Sequence, residues 1–331
     1  MLTGLLLVLV AGIFQGTFVF PLTMTKKWHW ENGWFTFSLL GMLLLNWLLA
    51  AIFIPDIIGI VASCPPSVLT VTMLFGFCWG CGSVLFGIGM QRLGLSLGYP
   101  IIMGLIASMG ALIPLALLSP AGFLSLKGVL LIVSAIIVWT GITVCAKANS
   151  LKQKETTDEK KQKNSGALMI AVAAGILSCL PNVGASFGVP LTEAAKAAGA
   201  SDLMAGNAVW TVFFTVGFIP NAAYTIYLAT KNKSFGLFRN HTASNAGWCL
   251  LMSILWIGSF YIYGAGASGM GNWGLIFGWP LFIAISIITG NLCGYLKGEW
   301  KTADAKARKL LNAGMWIIFA AIVVLAICNF F

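Results

Sequence analysis

Ten stretches of about twenty residues, almost free of charge, recur along the whole of this chain, at about 2–22, 34–54, 68–90, 97–118, 126–146, 166–190, 204–229, 244–263, 273–296 and 313–331. Within them only Lys127, at an edge, is charged. A helix needs about 20 apolar residues to cross the hydrocarbon core of a bilayer, so each stretch is long enough to span it. A membrane β-barrel would instead alternate apolar and polar residues in segments of about ten, and these segments are apolar all round. The fold class they imply is an all-α integral membrane protein of about 10 transmembrane helices. Composition leaves no soluble alternative: 59% of the residues are hydrophobic and 8% are charged, against about 25% charged in soluble domains. Met1-Leu2-Thr3 supplies no basic leader region, so the first stretch reads as a retained helix.

The nineteen basic residues divide unequally between the two sides defined by these spans. One side takes Lys26, Lys27, Arg92, the lysines of 147–163, Lys231, Lys233, Arg239 and the 297–309 group; the other takes only Lys127 and Lys196. Basic residues concentrate in cytoplasmic loops, which assigns the first side to the cytoplasm and both termini to the outside. The same distribution accounts for the net charge of +10 without nucleic acid, which would need a basic patch on one folded face.

The stretch KANSLKQKETTDEKKQKN (147–164) reads as a solvated cytoplasmic linker. It divides the chain into a five-helix half at 1–146, a charged segment at 147–165 and a second five-helix half at 166–331. Short strings recur between the halves in the same order: AGIF (11–14) with AGIL (174–177), TFVFPLT (17–23) with SFGVPLT (186–192), and Gly98-Tyr99-Pro100 with Gly278-Trp279-Pro280. Because five is odd, the second half enters from the opposite face, giving a 5+5 inverted repeat of the kind found in secondary transporters, which bind substrate near the midplane at interrupted helices.

The sixth span carries such an interruption. Pro181 lies among Ser178, Asn182, Gly184, Ser186 and Gly188, and proline removes a backbone donor and kinks a helix. The corresponding part of the first span offers Gln15 and Thr17. Other uncharged polar residues inside spans include Asn46, Ser83, Asn207, Asn221, Tyr224, Ser244, Asn245 and Asn291; an unpaired amide in hydrocarbon is costly, so they are expected to face the bundle interior, either bonding helix to helix or meeting ligand. Trp79, Trp210 and Trp256 lie deeper in their spans, where an indole either packs in the core or against lipid, since pockets are few, or stacks on the apolar face of a sugar. The candidate substrate-binding set is therefore Gln15, Thr17, Trp79, Ser83, Asn182, Ser186, Asn207, Trp210, Asn221, Trp256 and Asn291. Trp28, Trp30 and Trp34 flank a boundary and read as interfacial anchors.

Other patterns lead elsewhere or nowhere. Gly264-Ala265-Gly266-Ala267-Ser268-Gly269 matches a dinucleotide pattern, which requires a βαβ unit, and here it falls between two spans. Cys78 and Cys81 have no second ligand pair, whereas a structural zinc site wants four. No metal or cofactor is expected, and without paired intramembrane carboxylates or a nucleophile elbow neither is an enzyme. Gly76 and Gly80 have the small-xxx-small spacing that packs helices within or between chains.

Two segments are similar to a known family. KKWHWE (26–31) resembles the K-K-W-x-W-E stretch of the L-rhamnose/proton symporters, within the drug/metabolite transporter superfamily; LFGFCWGCGSVLFGIGMQRLGLSLG (74–98) resembles their L-F-G-x-x-W-G…M-R-x-L-G-M-S-x-G segment, and LKGEW (296–300) a third landmark. The resemblance runs from about 11 to 309 and implies uptake of a deoxy sugar with a proton through a bacterial inner membrane. The expected partners are a small-molecule substrate, a sugar first; a proton or other coupling ion; and the lipid bilayer. The chain departs from the family pattern at Ser83, Val84, Leu85 and Phe86, where polar Asn and Tyr are expected, and at Thr192, where His is expected. Glu193 keeps the family's E-A-A context and is the proton-coupling candidate, against the reading of a surface acid paired i,i+3 with Lys196. A facilitator or exporter of another small metabolite, such as an amino acid or nucleoside, is the second reading, and a non-transporting scaffold or sensor the third.

Overall fold

The computed structural model describes residues 2–93, 98–154, 165–298, 300, 301 and 303–328. It is all-helical among those residues, with ten helical segments long and apolar enough to cross a membrane: Leu2–Met24, Trp30–Phe53, Pro66–Met90, Ile101–Leu118, Leu126–Lys152, Gly166–Phe187, Ala205–Lys231, Thr242–Gly269, Gly274–Leu296 and Ala305–Leu325. The ten expected spans are all present, with shifted ends. The second begins at Trp30 and the tenth at Ala305, because amphipathic turns carrying Trp30, Glu31, Lys306 and Arg308 extend the apolar helices beyond their uncharged cores. The fifth helix continues to Lys154, into the segment expected as a linker; 155–164 lie outside the described residues.

Two spans depart from regular α-helix. The second passes through a wide π-turn at Leu39–Leu45 between α-helical ends, a local widening often found at functional positions. The sixth is broken at Cys179, just before Pro181, into Ser165–Ser178 and Leu180–Phe187, and a further short helix, Val189–Ala197, follows Gly188. The glycine-rich stretch 264–269, expected as a loop, forms the last turns of the eighth span, since nothing within it interrupts the helical hydrogen-bond ladder.

Packing follows from the small residues. A Cβ on Gly76 or Gly80 would collide with the carbonyl oxygens of Phe213 or Gly217, so the third and seventh spans approach backbone to backbone and this spacing serves contact within the chain. The first span lies against the eighth and ninth, and the sixth against the third and fourth. The second packs on the seventh and eighth, the fourth on the ninth, and the fifth on the tenth. The loops at 25–29 and 232–241 share one end of the bundle, called here the basic end, with residues 297, 298, 300, 301, 303 and 304 after the ninth span. The helices Ile57–Ser63 and Val189–Ala197 pack together at the opposite end.

Candidate functional site

The three tryptophans singled out from sequence converge. Trp79 stacks on Trp256, with ring centroids 5.9 Å apart, and meets Phe214 edge-on at 5.2 Å. Phe214 lies 4.7 Å from Trp256 and is stacked with Trp210 at 5.4 Å, while Phe37 and Phe260 close the cluster at 5.4 and 5.2 Å from Trp256. All of these side chains are buried. Four different spans thus contribute to one aromatic core.

Amides lie against this core. Trp210 Nε1 donates to Asn207 Oδ1 at 3.0 Å, and Asn207 Nδ2 donates to the Tyr261 carbonyl at 3.2 Å. Gln15, half-buried on the first span, accepts from Ser259 Oγ at 2.7 Å, one turn from Trp256. Toward the basic end Asn221 Oδ1 accepts from both Ser83 Oγ at 2.8 Å and Trp34 Nε1 at 3.1 Å. Trp34 is therefore not an interfacial anchor but a half-buried inward donor, because the second span is longer than its uncharged stretch and carries Trp34 one turn inside.

Asn182 forms a separate hub near the opposite end. Its Nδ2 donates to the carbonyls of Gly110 at 2.6 Å and Leu275 at 2.7 Å, and its Oδ1 accepts from Tyr263 Oη. Trp279 packs on Tyr263 and donates to the Ile106 carbonyl at 2.8 Å. The amide of Asn182 is fully occupied by protein, so its geometry is that of a helix-to-helix tie. Its neighbour Ser186 bonds only to the Asn182 carbonyl in its own helix.

The remaining candidates lie apart. Thr17 bonds to carbonyls of its own helix and faces an apolar groove of about 310 Å³ with Phe20, Leu255 and Cys293. Asn291 is half-buried and bonds to Ile287 in its own helix. Glu193 is exposed on the short helix after the sixth span, 3.2 Å from Lys196.

Several contributors escaped the sequence reading. Ser259, Phe260 and Tyr263 share a helical face with Trp256, at spacings of three, four and seven residues, and that stripe was the signal. Tyr261, whose hydroxyl donates to the Asn46 carbonyl at 3.0 Å, gave none, and Glu31 showed only as the last residue of the KKWHWE stretch.

Ten spans around a buried aromatic and amide core drawn from both halves of the chain make this a polytopic membrane protein, and its family match makes it a transporter rather than an enzyme. The chain belongs to the L-rhamnose-proton symport protein family, whose model matches residues 1–329. It is similar to the L-rhamnose-proton symporter of Cronobacter sakazakii, with 25% identity over 96% of this chain and 95% of the relative. That of Yersinia pestis is 27% identical over the same shares, and that of Citrobacter koseri 25% identical over 95% and 94%.

Proposed function

We propose that the protein carries L-rhamnose or a related deoxy sugar into the cell together with protons, across the inner membrane of a bacterium. The observation that carries this reading is the whole-length family match at 1–329. Trp79, Trp210 and Trp256 offer π-faces for the apolar side of a sugar, and Gln15, Ser83 and Asn221 offer hydrogen-bonding groups, the combination of aromatic walls and few polar groups that small-molecule sites use, while Asn207, paired with Trp210 and the Tyr261 carbonyl, belongs to the frame. Asn182 is assigned to holding the frame. Glu193 is the carboxylate that the family context offers for proton coupling, and its exposed pairing with Lys196 makes its substitution a direct test.

The transport cycle follows from an inverted 5+5 repeat. Supporting it, the first span's contacts with the eighth and ninth correspond to the sixth span's contacts with the third and fourth, an exchange that a swap of halves would produce. One unit then comprises the first, second, eighth and ninth spans, the other the third, fourth, sixth and seventh, and rocking of one against the other alternates access. The concentration of lysine and arginine in the loops of the basic end supports a cytoplasmic assignment for that end and an outside one for both termini.

A second reading, carriage of another small metabolite, is favoured by the stretch Ser83, Val84, Leu85 and Phe86, where the family resemblance implies polar Asn and Tyr, and of which Ser83 bonds to Asn221. Thermal unfolding of the purified protein against deoxy sugars, hexoses, amino acids and nucleosides separates the two. A rise in midpoint of a few degrees with L-rhamnose is expected, from binding linkage. Stabilisation by an amino acid or nucleoside, with none by any sugar, would establish the second reading; no response to any of them would point to a scaffold or sensor.

A further inference from the structure

Glu31 is the one charged residue fully buried among the described residues. It sits at the basic end, in the first turn of the second span. Its Oε1 accepts from Ser234 Oγ at 2.8 Å and Asn232 Nδ2 at 3.0 Å, both just past the end of the seventh span, and lies 3.5 Å from His29 Nδ1. Asn32 strengthens the same junction: its Oδ1 accepts from the His29 backbone N–H and its Nδ2 donates to the Ser234 carbonyl at 3.0 Å. Trp28 meets Phe238 edge-on at 5.3 Å. Lys26, Lys27, Lys231, Lys233 and Arg239 are exposed around it.

Of the four non-glycine residues in left-handed conformation among the described residues, Lys27 (φ 60°), Lys233 (φ 52°) and His241 (φ 51°) belong to the two segments joined by Glu31, and Asp56 (φ 50°) to the opposite end. At Lys233 it is the left-handed turn common at a helix C-terminus, with the Ser234 N–H donating to the Ala229 carbonyl at 2.9 Å. Lys233 turns the chain so that Asn232 and Ser234, on either side of it, both reach one carboxylate oxygen. A buried carboxylate makes strong, charge-assisted hydrogen bonds and is costly to leave unpaired, so this junction is either made as a whole or released.

We propose that Glu31 is the positioning pin of a gate at the basic end, fastening the second span to the seventh, and that transport requires this pin to be withdrawn. The proposal rests on the transporter reading, because the two spans it joins belong to the two units that would rock. On this account the turn at Lys233 presents Ser234 and Asn232 to Glu31 in the closed gate, and the junction opens when Glu31 parts from both.

Amide hydrogen exchange of the full chain in lipid nanodiscs tests the gate without any substrate. Glu31→Ala should raise exchange in 25–33 and 231–245 together by about tenfold or more, the scale of one lost hydrogen bond to a charged group, leaving 54–66 and 191–207 unchanged. Glu31→Gln, which keeps an acceptor oxygen, should recover most of the protection, and Ser234→Ala should fall between. A uniform rise across all spans, a rise in only one segment, or none would overturn the proposal. In a cysteine-free background, Trp28→Cys with Phe238→Cys joined by a reducible cross-linker should lower sugar uptake at least tenfold, with return on reduction. Undiminished uptake while cross-linked would also overturn it. Absence of sugar uptake before cross-linking would instead count against the substrate assignment, and the exchange result would then decide the gate.

Discussion

The two ends of the bundle are fastened by different chemistry. At the opposite end the ties are neutral and end mostly on backbone carbonyls: Asn46 Nδ2 donates to Trp210 O at 2.9 Å, Asn207 to Tyr261 O, and Asn182 to Gly110 O and Leu275 O. Ile54, Ile57 and Ile60 pack there in one buried apolar cluster with Leu191, Ala195 and Val209. At the basic end a buried carboxylate, Glu31, joins Ser234 and Asn232 beside neutral ties from Asn32 to the Ser234 carbonyl and from Asn245 to the Lys26 carbonyl, amid exposed lysines. Neutral amides bonded to main-chain carbonyls have no alternative partner in hydrocarbon and hold firmly. Glu31 is buried in this conformation, but the lysines around it are exposed, so solvent becomes an alternative partner once its contacts part. On the gate proposal, the end that carries the buried carboxylate is the one that releases, and the other stays closed in this conformation.

The sharpest way to break that comparison is to weaken the firm end. Asn182→Ala would leave the Gly110 and Leu275 carbonyls and the Tyr263 hydroxyl without their partner, and should cost about 2 kcal/mol or more in stability, read as a lowered unfolding midpoint in detergent or lipid. Its effect should spread over the fourth, sixth, eighth and ninth spans, unlike the local effect expected at Glu31. A neutral outcome would mean that Asn182 is not a frame element and is free for ligand. At the small end of the scale stands Glu193→Gln. An exposed i,i+3 pair contributes about 0–1 kcal/mol, so stability should barely move, and proton-driven uptake measured beside the wild type shows directly whether this carboxylate couples. Unchanged uptake would remove it from the mechanism.

Much of the fold was legible in the sequence because hydrocarbon imposes a simple rule: long apolar stretches span, and charges sit between them. Pro181 likewise announced the break in the sixth span, since a missing backbone donor is written in the residue type. Span ends were harder, as amphipathic turns such as Trp30–Trp34 and Ala305–Leu311 continue a helix into polar sequence without an apolar signature. For the candidate site, sequence showed that Trp79, Trp210 and Trp256 lie deep in their spans, but not that they converge, which depends on how the third, seventh and eighth spans pack. Which amides pair with protein was not legible: Asn182 and Asn221 have the same chemistry, and only the neighbouring spans decide that one ties carbonyls while the other collects Ser83 and Trp34. Glu31 was hidden for a related reason. In sequence it is one acid in a basic loop, and its burial depends on Asn232 and Ser234, two hundred residues away.

The central claim, sugar entry driven by protons, is tested most directly by uptake of radiolabelled L-rhamnose into proteoliposomes of the purified protein under an imposed inward proton gradient. The account expects accumulation above the external concentration, collapsing when a protonophore dissipates the gradient. Entry of L-rhamnose no faster than into protein-free liposomes, with the protein folded and oriented in the membrane, would contradict it.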